Sequence, residues 1–293
     1  MNTPIFEGCA TALVTPFTKD GERIDFAAWE RLINRQIESG ITNFVVLGTT
    51  GENPTIEWDE ETAIIQSARD VIGKRGKMIV GTGSNCTKHA VKASEKAMNL
   101  GADAVLAVTP YYNKPSQQGL ENYYTEIAKE APTIMYNVPG RTGVNLLPET
   151  AARLAQNPGI VGFKEANPSQ MAETAHALDD LPWYSGDDLS NFTAYTLGAK
   201  GAISVTANLL PEQQQCLYRF VKAGLVDQRA RELHQSLLPV NKALFCETNP
   251  IPVKAALADL GLCEPTTRPP LTPMQPENFK HLKKAITTFF KER

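Results

Sequence analysis

The sequence predicts an α/β protein, a (β/α)8 TIM barrel with a C-terminal helical appendage, on three observations. Short apolar runs alternate with amphipathic helical patterns as far as about position 224, and that alternation builds a parallel sheet covered by helices. The strand–helix pair recurs eight times, which closes a barrel rather than leaving an open, doubly wound sheet. A length of 293 residues fits one barrel of about 250 residues and a tail, as it also fits two smaller domains. No GxGxxG follows the first strand and no GxxxxGKS or GxxxxGKT occurs, which counts against a dinucleotide fold or a P-loop.

The strands expected, in order, are 9–15 (CATALVT), 43–47 (NFVVL), 78–81 (MIVG), 104–109 (AVLAVT), 133–137 (TIMYN), 160–164 (IVGFK), 183–185 (WYS) and 201–205 (GAISV). Their near-continuous apolar character suits strands buried on both faces, and the seventh is the shortest. Helical periodicity runs at 26–39, 58–72, 87–99, 116–130, 148–156, 169–179, 188–198 and 211–223. Asp25 and Ser116 stand where a side chain can accept from the free N–H groups of a first turn, and Gly40 and Gly101 stand just past helix ends. Residues 1–224 are therefore expected to form the catalytic barrel, and 225–293 the appendage. The appendage has helical patterns at 226–244, 250–260 and 277–291, broken by the proline-rich CEPTTRPPLTP, and packs on the barrel or on another subunit.

In such barrels the reactive groups sit on the loops leaving the C-terminal strand ends. Those positions here hold Gly48-Thr49-Thr50-Gly51-Glu52, Thr109-Pro110-Tyr111-Tyr112-Asn113-Lys114-Pro115, Tyr136-Asn137-Val138-Pro139-Gly140-Arg141-Thr142-Gly143, Ser185-Gly186-Asp187-Asp188 and Ser204-Val205-Thr206-Ala207-Asn208. The sixth strand ends in Lys164, an ammonium group in a run of core residues. Burial disfavours a charged amine, and the neutral amine is what attacks a carbonyl to form a Schiff base. A blander account has Lys164 laying its stem on apolar surface with its head in water, paired with Glu165. Each loop has a plain structural account too: glycine-flanked threonines as a turn, paired tyrosines as packing, Asp187 and Asp188 as the cap of the helix that follows. Their common placement at one rim favours chemistry. A lysine nucleophile, phenols and hydroxyls that move protons, and an arginine for a carboxylate together suit carbon–carbon bond formation through an imine on a keto acid.

Net charge is −3 at pH 7, and no basic surface collects to neutralise phosphates, so nucleic acid and anionic membranes are not expected partners. Five scattered cysteines without CxxC spacing fit reduced thiols in the cytoplasm. Four histidines, His89, His176, His234 and His281, show no ligand spacing; each is expected on a helix surface, and no metal site is expected. The sequence shows no leader of signal-peptide form and no apolar run of the ~18 residues a membrane helix needs.

Taken together, GCATALVTPF, GTTGE, TPYYNKPSQ, YNVPGRTG, GFKEA, SGDD, GAISVTAN and NPIPVKAAL resemble the dihydrodipicolinate synthase family nearly end to end. That family lies in the pyruvate-dependent aldolase and lyase superfamily, which also holds N-acetylneuraminate lyase. The resemblance implies that Lys164 forms the Schiff base with pyruvate, that Tyr136 shuttles protons above it, and that Thr50 links Tyr136 to Tyr112 in a relay. In the family that second phenol comes from a neighbouring subunit, which implies a homodimer or a homotetramer built as a dimer of dimers. Thr49 and Thr50 would hold the pyruvate carboxylate and Arg141 that of aspartate semialdehyde, while the backbone at Gly186 and Ile203 lines the pocket. No cofactor is implied, because the imine itself is the electron sink. The product would be 4-hydroxy-tetrahydrodipicolinate, in lysine and diaminopimelate biosynthesis. The rival within the superfamily is an aldolase for a sialic acid or a sugar-derived keto acid, where a polyhydroxylated substrate would want hydrogen-bonding side chains in place of Arg141. Members inhibited by lysine carry a glutamate where this chain has His89 and a histidine where it has Glu61, although Tyr111 and Asn85 match. Weak or absent feedback inhibition is therefore expected.

Overall fold

The computed structural model of the chain describes residues 3–224, 226 and 228–291. In order it forms β1 (Gly8–Ala12), α1 (Phe26–Glu38), β2 (Asn43–Val46), α2 (Trp58–Ile72), β3 (Lys77–Gly81), α3 (Thr87–Asn99), β4 (Ala104–Val108), α4 (Gln117–Ala128), β5 (Thr133–Asn137), α5 (Pro139–Thr142), α6 (Pro148–Leu154), β6 (Ile160–Glu165), α7 (Met171–Ala177), β7 (Trp183–Ser185), α8 (Asn191–Thr196), β8 (Gly201–Ser204), α9 (Pro211–Lys222), α10 (Gln228–Ala243), α11 (Ile251–Asp259) and α12 (Pro276–Lys291). The strands pair in sequence order, all parallel, and β8 returns to β1, which closes the barrel.

Successive side chains of a strand point to opposite faces, so a strand with helices outside and a packed barrel inside needs apolar residues at nearly every position. Inward residues such as Ala10, Val45, Ile79, Leu106, Ile134, Tyr184 and Ile203 fill the barrel. Outward neighbours such as Phe44, Met78, Val105, Met135, Phe163 and Ala202 join the helices in a separate, larger core. The end of the barrel away from the site is closed by Phe6 stacked on Tyr184, with centroids 4.2 Å apart. Gly162 on β6 leaves room for that plug, since a Cβ there would lie 3.0 Å from the Tyr184 ring.

The helix signals work as expected: Asp25 accepts from the Ala28 N–H at 2.9 Å, and Ser116 from that of Gly119 at 3.3 Å. Several bounds differ. β1 stops at Ala12 because Val14 donates to the Asn208 side chain and Thr15 to the Gly51 carbonyl, so loop contacts replace the ladder. The 169–179 pattern divides into a 3₁₀ turn, Pro168–Gln170, and α7, while α5 forms within YNVPGRTG where only a loop was expected. Position 227, inside the expected 226–244 helix, lies outside the described residues. α12 packs on α10 and α11. His89, His176 and His281 are exposed on helices, but His234 is half-buried, stacked on Phe192 at 5.2 Å, with its Nδ1 unpartnered and its pKa lowered by desolvation. No helix among the described residues is long and apolar enough to cross a membrane.

Candidate active site

Lys164 and Tyr136 are register partners at the C-terminal ends of β6 and β5, so the alternation that sends Ile134 into the barrel sends both of these inward as well. Lys164 is 6% exposed, and its Nζ lies 4.0 Å from the Tyr136 ring centroid. It is therefore buried at the rim, and the surface-lysine account fails. Gly186, just past β7, makes this placement possible: a Cβ there would sit 2.8 Å from Lys164 Cε.

Glu165, the next residue, faces outward and does not pair with Lys164. Its Oε1 accepts from Asn137 Nδ2 at 3.0 Å and the Asn167 N–H at 2.8 Å, and its Oε2 from Gln170 Nε2 at 2.8 Å and Thr174 Oγ1 at 3.1 Å. Burial nevertheless pushes this carboxyl up from 4.5 to about 7. Between those values the folded state holds a proton that the unfolded state has released, so the contribution of Glu165 to stability falls as pH rises. Urea denaturation should show the stability of the parent chain relative to Glu165→Gln declining from about pH 4.5 to pH 7, at up to about 1.4 kcal/mol per unit. A flat or rising difference would contradict the assignment.

The chain leaving β2 tightens into the 3₁₀ turn Thr49–Gly51, which ends on Glu52 in a left-handed conformation, φ 56°. That geometry costs a non-glycine residue roughly 1–2 kcal/mol. Thr50 is buried, and its Oγ1 accepts from Asn249 Nδ2 at 2.9 Å. Arg141, on α5, is exposed apart from one bond, from Nη2 to the Asn249 carbonyl at 3.3 Å. Thr49, Tyr136 and Arg141 line two adjoining cavities at the rim; Lys164, Thr50, Gly186 and Ile203 line the inner one, and Tyr111 the outer. Tyr112 is the candidate that the fold does not bring in. It lines neither cavity, stands 89% exposed and holds φ at 73°.

Two features differ from, or go beyond, the sequence reading. Asp188 does not cap α8, whose N-cap, Ser190, makes no capping bond with its side chain and donates from Oγ to Asp187 Oδ2 at 2.5 Å. Its Oδ2 instead accepts from the N–H groups of Val205 at 2.9 Å and Thr206 at 2.8 Å, tying the loop after β7 to the one after β8. Asn249 and Phe245, which line the inner cavity from the C-terminal segment, went unnoticed; their one signal was the asparagine that opens NPIPVK. Among the described residues no three His, Cys, Asp or Glu side chains are grouped to hold a metal, and all five cysteines are free.

Residues 5–289 match the model of the dihydrodipicolinate synthetase family. The 4-hydroxy-tetrahydrodipicolinate synthase of Thermodesulfovibrio yellowstonii is 47% identical over 287 residues, covering 96% of this chain and 98% of that protein. That of Salinibacter ruber is 49% identical over 278 residues, covering 92% and 91%. Among solved structures, the chloride-inhibited dihydrodipicolinate synthase of Acinetobacter baumannii in complex with pyruvate superposes with a TM-score of 0.94 at 42% identity, covering 97% of this chain and 99% of that one.

Proposed function

The chain belongs to the dihydrodipicolinate synthetase family, and from that premise we propose that it condenses pyruvate with L-aspartate 4-semialdehyde through an imine on Lys164. It is a Schiff-base lyase forming 4-hydroxy-tetrahydrodipicolinate, in lysine and diaminopimelate biosynthesis. One observation carries the chemistry: an inward-facing, buried Lys164 whose Nζ lies 4.0 Å from the ring of its register partner Tyr136.

The Lys164 amine adds to the pyruvate ketone carbon, and water leaves as the imine forms. The protonated imine draws electrons from the methyl group, which loses a proton to become an enamine carbon. That carbon attacks the aldehyde, whose oxygen takes up a proton, and the semialdehyde's own amine then adds to the imine carbon. Lys164 departs as a free amine, which closes the ring and regenerates the enzyme. Tyr136 passes protons at each stage, and Thr50 relays them. The hydroxyls and N–H groups of the Thr49–Thr50 turn hold the pyruvate carboxylate, and Arg141 grips that of the semialdehyde with its planar fork. Gly186 and Ile203 form the walls beside the lysine.

Tyr112 completes the relay in a neighbouring subunit, so the working unit is a homodimer or a homotetramer; its exposure on a left-handed backbone suits a side chain presented outward. Residues 1–224 are the catalytic barrel and 225–293 the appendage, and the enzyme works in the cytoplasm. Arg141 at the mouth favours a carboxylate-bearing aldehyde over a polyhydroxylated sugar. Supplying pyruvate and aspartate semialdehyde together and following both by mass spectrometry should show their joint consumption and one cyclic product. No pyruvate should be released from N-acetylneuraminate, and release would favour the rival aldolase.

Glu61, the carboxylate weighed as a replacement for the one missing at position 89, already binds Lys96 at 3.1 Å, and Lys96 Nζ lies 3.7 Å over the Trp58 ring. A carboxylate spent on an internal cation has little left for the ammonium of free lysine. Initial rates at saturating aspartate semialdehyde should stay above half of their starting value as L-lysine rises to about millimolar, an affinity of only ~4 kcal/mol. Half-inhibition well below that concentration would show that the cleft works.

A further inference from the structure

The C-terminal segment brings to the barrel rim a charge that the reaction does not use. Lys254 on α11 is fully buried, and its Nζ donates to Glu52 Oε1 at 2.6 Å. Glu52 Oε2 accepts from the Arg268 N–H at 3.0 Å. The Phe17 ring completes the enclosure, 4.0 Å from Lys254 Nζ and 4.4 Å from Arg268 Cζ. Desolvation works against the Lys254 charge, and Glu52 opposes that effect. An ion pair withdrawn this far from water gains little over apolar residues of the same volume, so stability is a poor reason for it. The fixing of one local arrangement is a better one.

That arrangement is the left-handed backbone at Glu52, immediately after the turn carrying Thr49 and Thr50. The Glu52 N–H closes the turn on the Thr49 carbonyl at 3.1 Å, and Thr15 Oγ1 holds the Gly51 carbonyl at 2.7 Å. A strained backbone of this kind persists only where its surroundings over-determine it. The same C-terminal segment grips the turn a second time, through the Asn249 bond to Thr50 Oγ1. We infer that the buried Lys254–Glu52 pair is a positioning device for pyruvate: it holds the Thr49–Thr50 turn in the shape that receives the carboxylate, and so sets pyruvate affinity without touching the substrate. This rests on the functional reading above, in which that turn is the carboxylate seat.

Two variants test it. Glu52→Gln keeps the side-chain shape and an acceptor for the Arg268 N–H while leaving Lys254 able to stay buried as a neutral amine; Glu52→Gln with Lys254→Met replaces the pair by neutral groups of similar volume. In folded variants the pyruvate concentration for half-maximal borohydride trapping should rise about tenfold or more, while half-saturation by aspartate semialdehyde moves less than about threefold, a split that uniform loosening does not give. Unchanged pyruvate half-saturation, or equal weakening toward both substrates, overturns the inference. Failure of both variants to fold also overturns it, by showing that the pair holds the fold rather than the turn. An unsubstituted protein that traps no pyruvate overturns the functional reading itself, which separates the two failures.

Discussion

Lys164→Ala is expected to lose the pyruvate adduct and on the order of 10⁴-fold or more in turnover, the scale on which removal of a covalent nucleophile acts. The fold should survive. The side chain sits at the cavity wall with Gly186 against its Cε, and the group removed is an ammonium whose burial opposes folding. A thermal midpoint equal to or above that of the parent chain, together with absent trapping, would separate loss of chemistry from loss of structure. Retained turnover in the folded variant would remove Lys164 from the mechanism.

Arg141→Ala should act on the other substrate. The guanidinium is exposed at the cavity mouth and, among the described residues, is tied only through Nη2 to the Asn249 carbonyl, which leaves most of its donors for a carboxylate. Losing a two-pronged, charge-assisted contact is expected to cost roughly 10²-fold or more in kcat/KM for aspartate semialdehyde. Pyruvate trapping at Lys164 should change far less, because imine formation precedes arrival of the second substrate. If trapping falls as far as turnover, Arg141 serves pyruvate or the fold.

What the sequence made legible follows from which signals are local. Eight buried strands read clearly because a strand apolar on both faces stands out against amphipathic helices, and Lys164 read clearly because it ends such a run with a charge. Tyr136 and Arg141 followed from their place after a strand. The contacts that finish the site are not local. Thr50 is bonded by Asn249 and Glu52 by Lys254, partners about two hundred positions away that only closure of the barrel and docking of the tail bring near. Asp188 misled for the same reason: an acidic residue just before a helix is a sound cap by local rules, yet its Oδ2 accepts from the N–H groups of Val205 and Thr206, which follow β8. His234 gave no hint that Phe192 would cover it. Glu165 looked like a partner for Lys164 until strand alternation placed the two on opposite faces.

The chemistry turns on Lys164 being the amine that forms the imine with pyruvate. Incubating the protein with pyruvate, reducing with borohydride and mapping the modified peptide by mass spectrometry tests it most directly. One pyruvate-derived adduct is expected, carried by Lys164 and absent from the Lys164→Ala variant. An adduct on another lysine such as the buried Lys254, or none at all in a protein that still turns over, would contradict it.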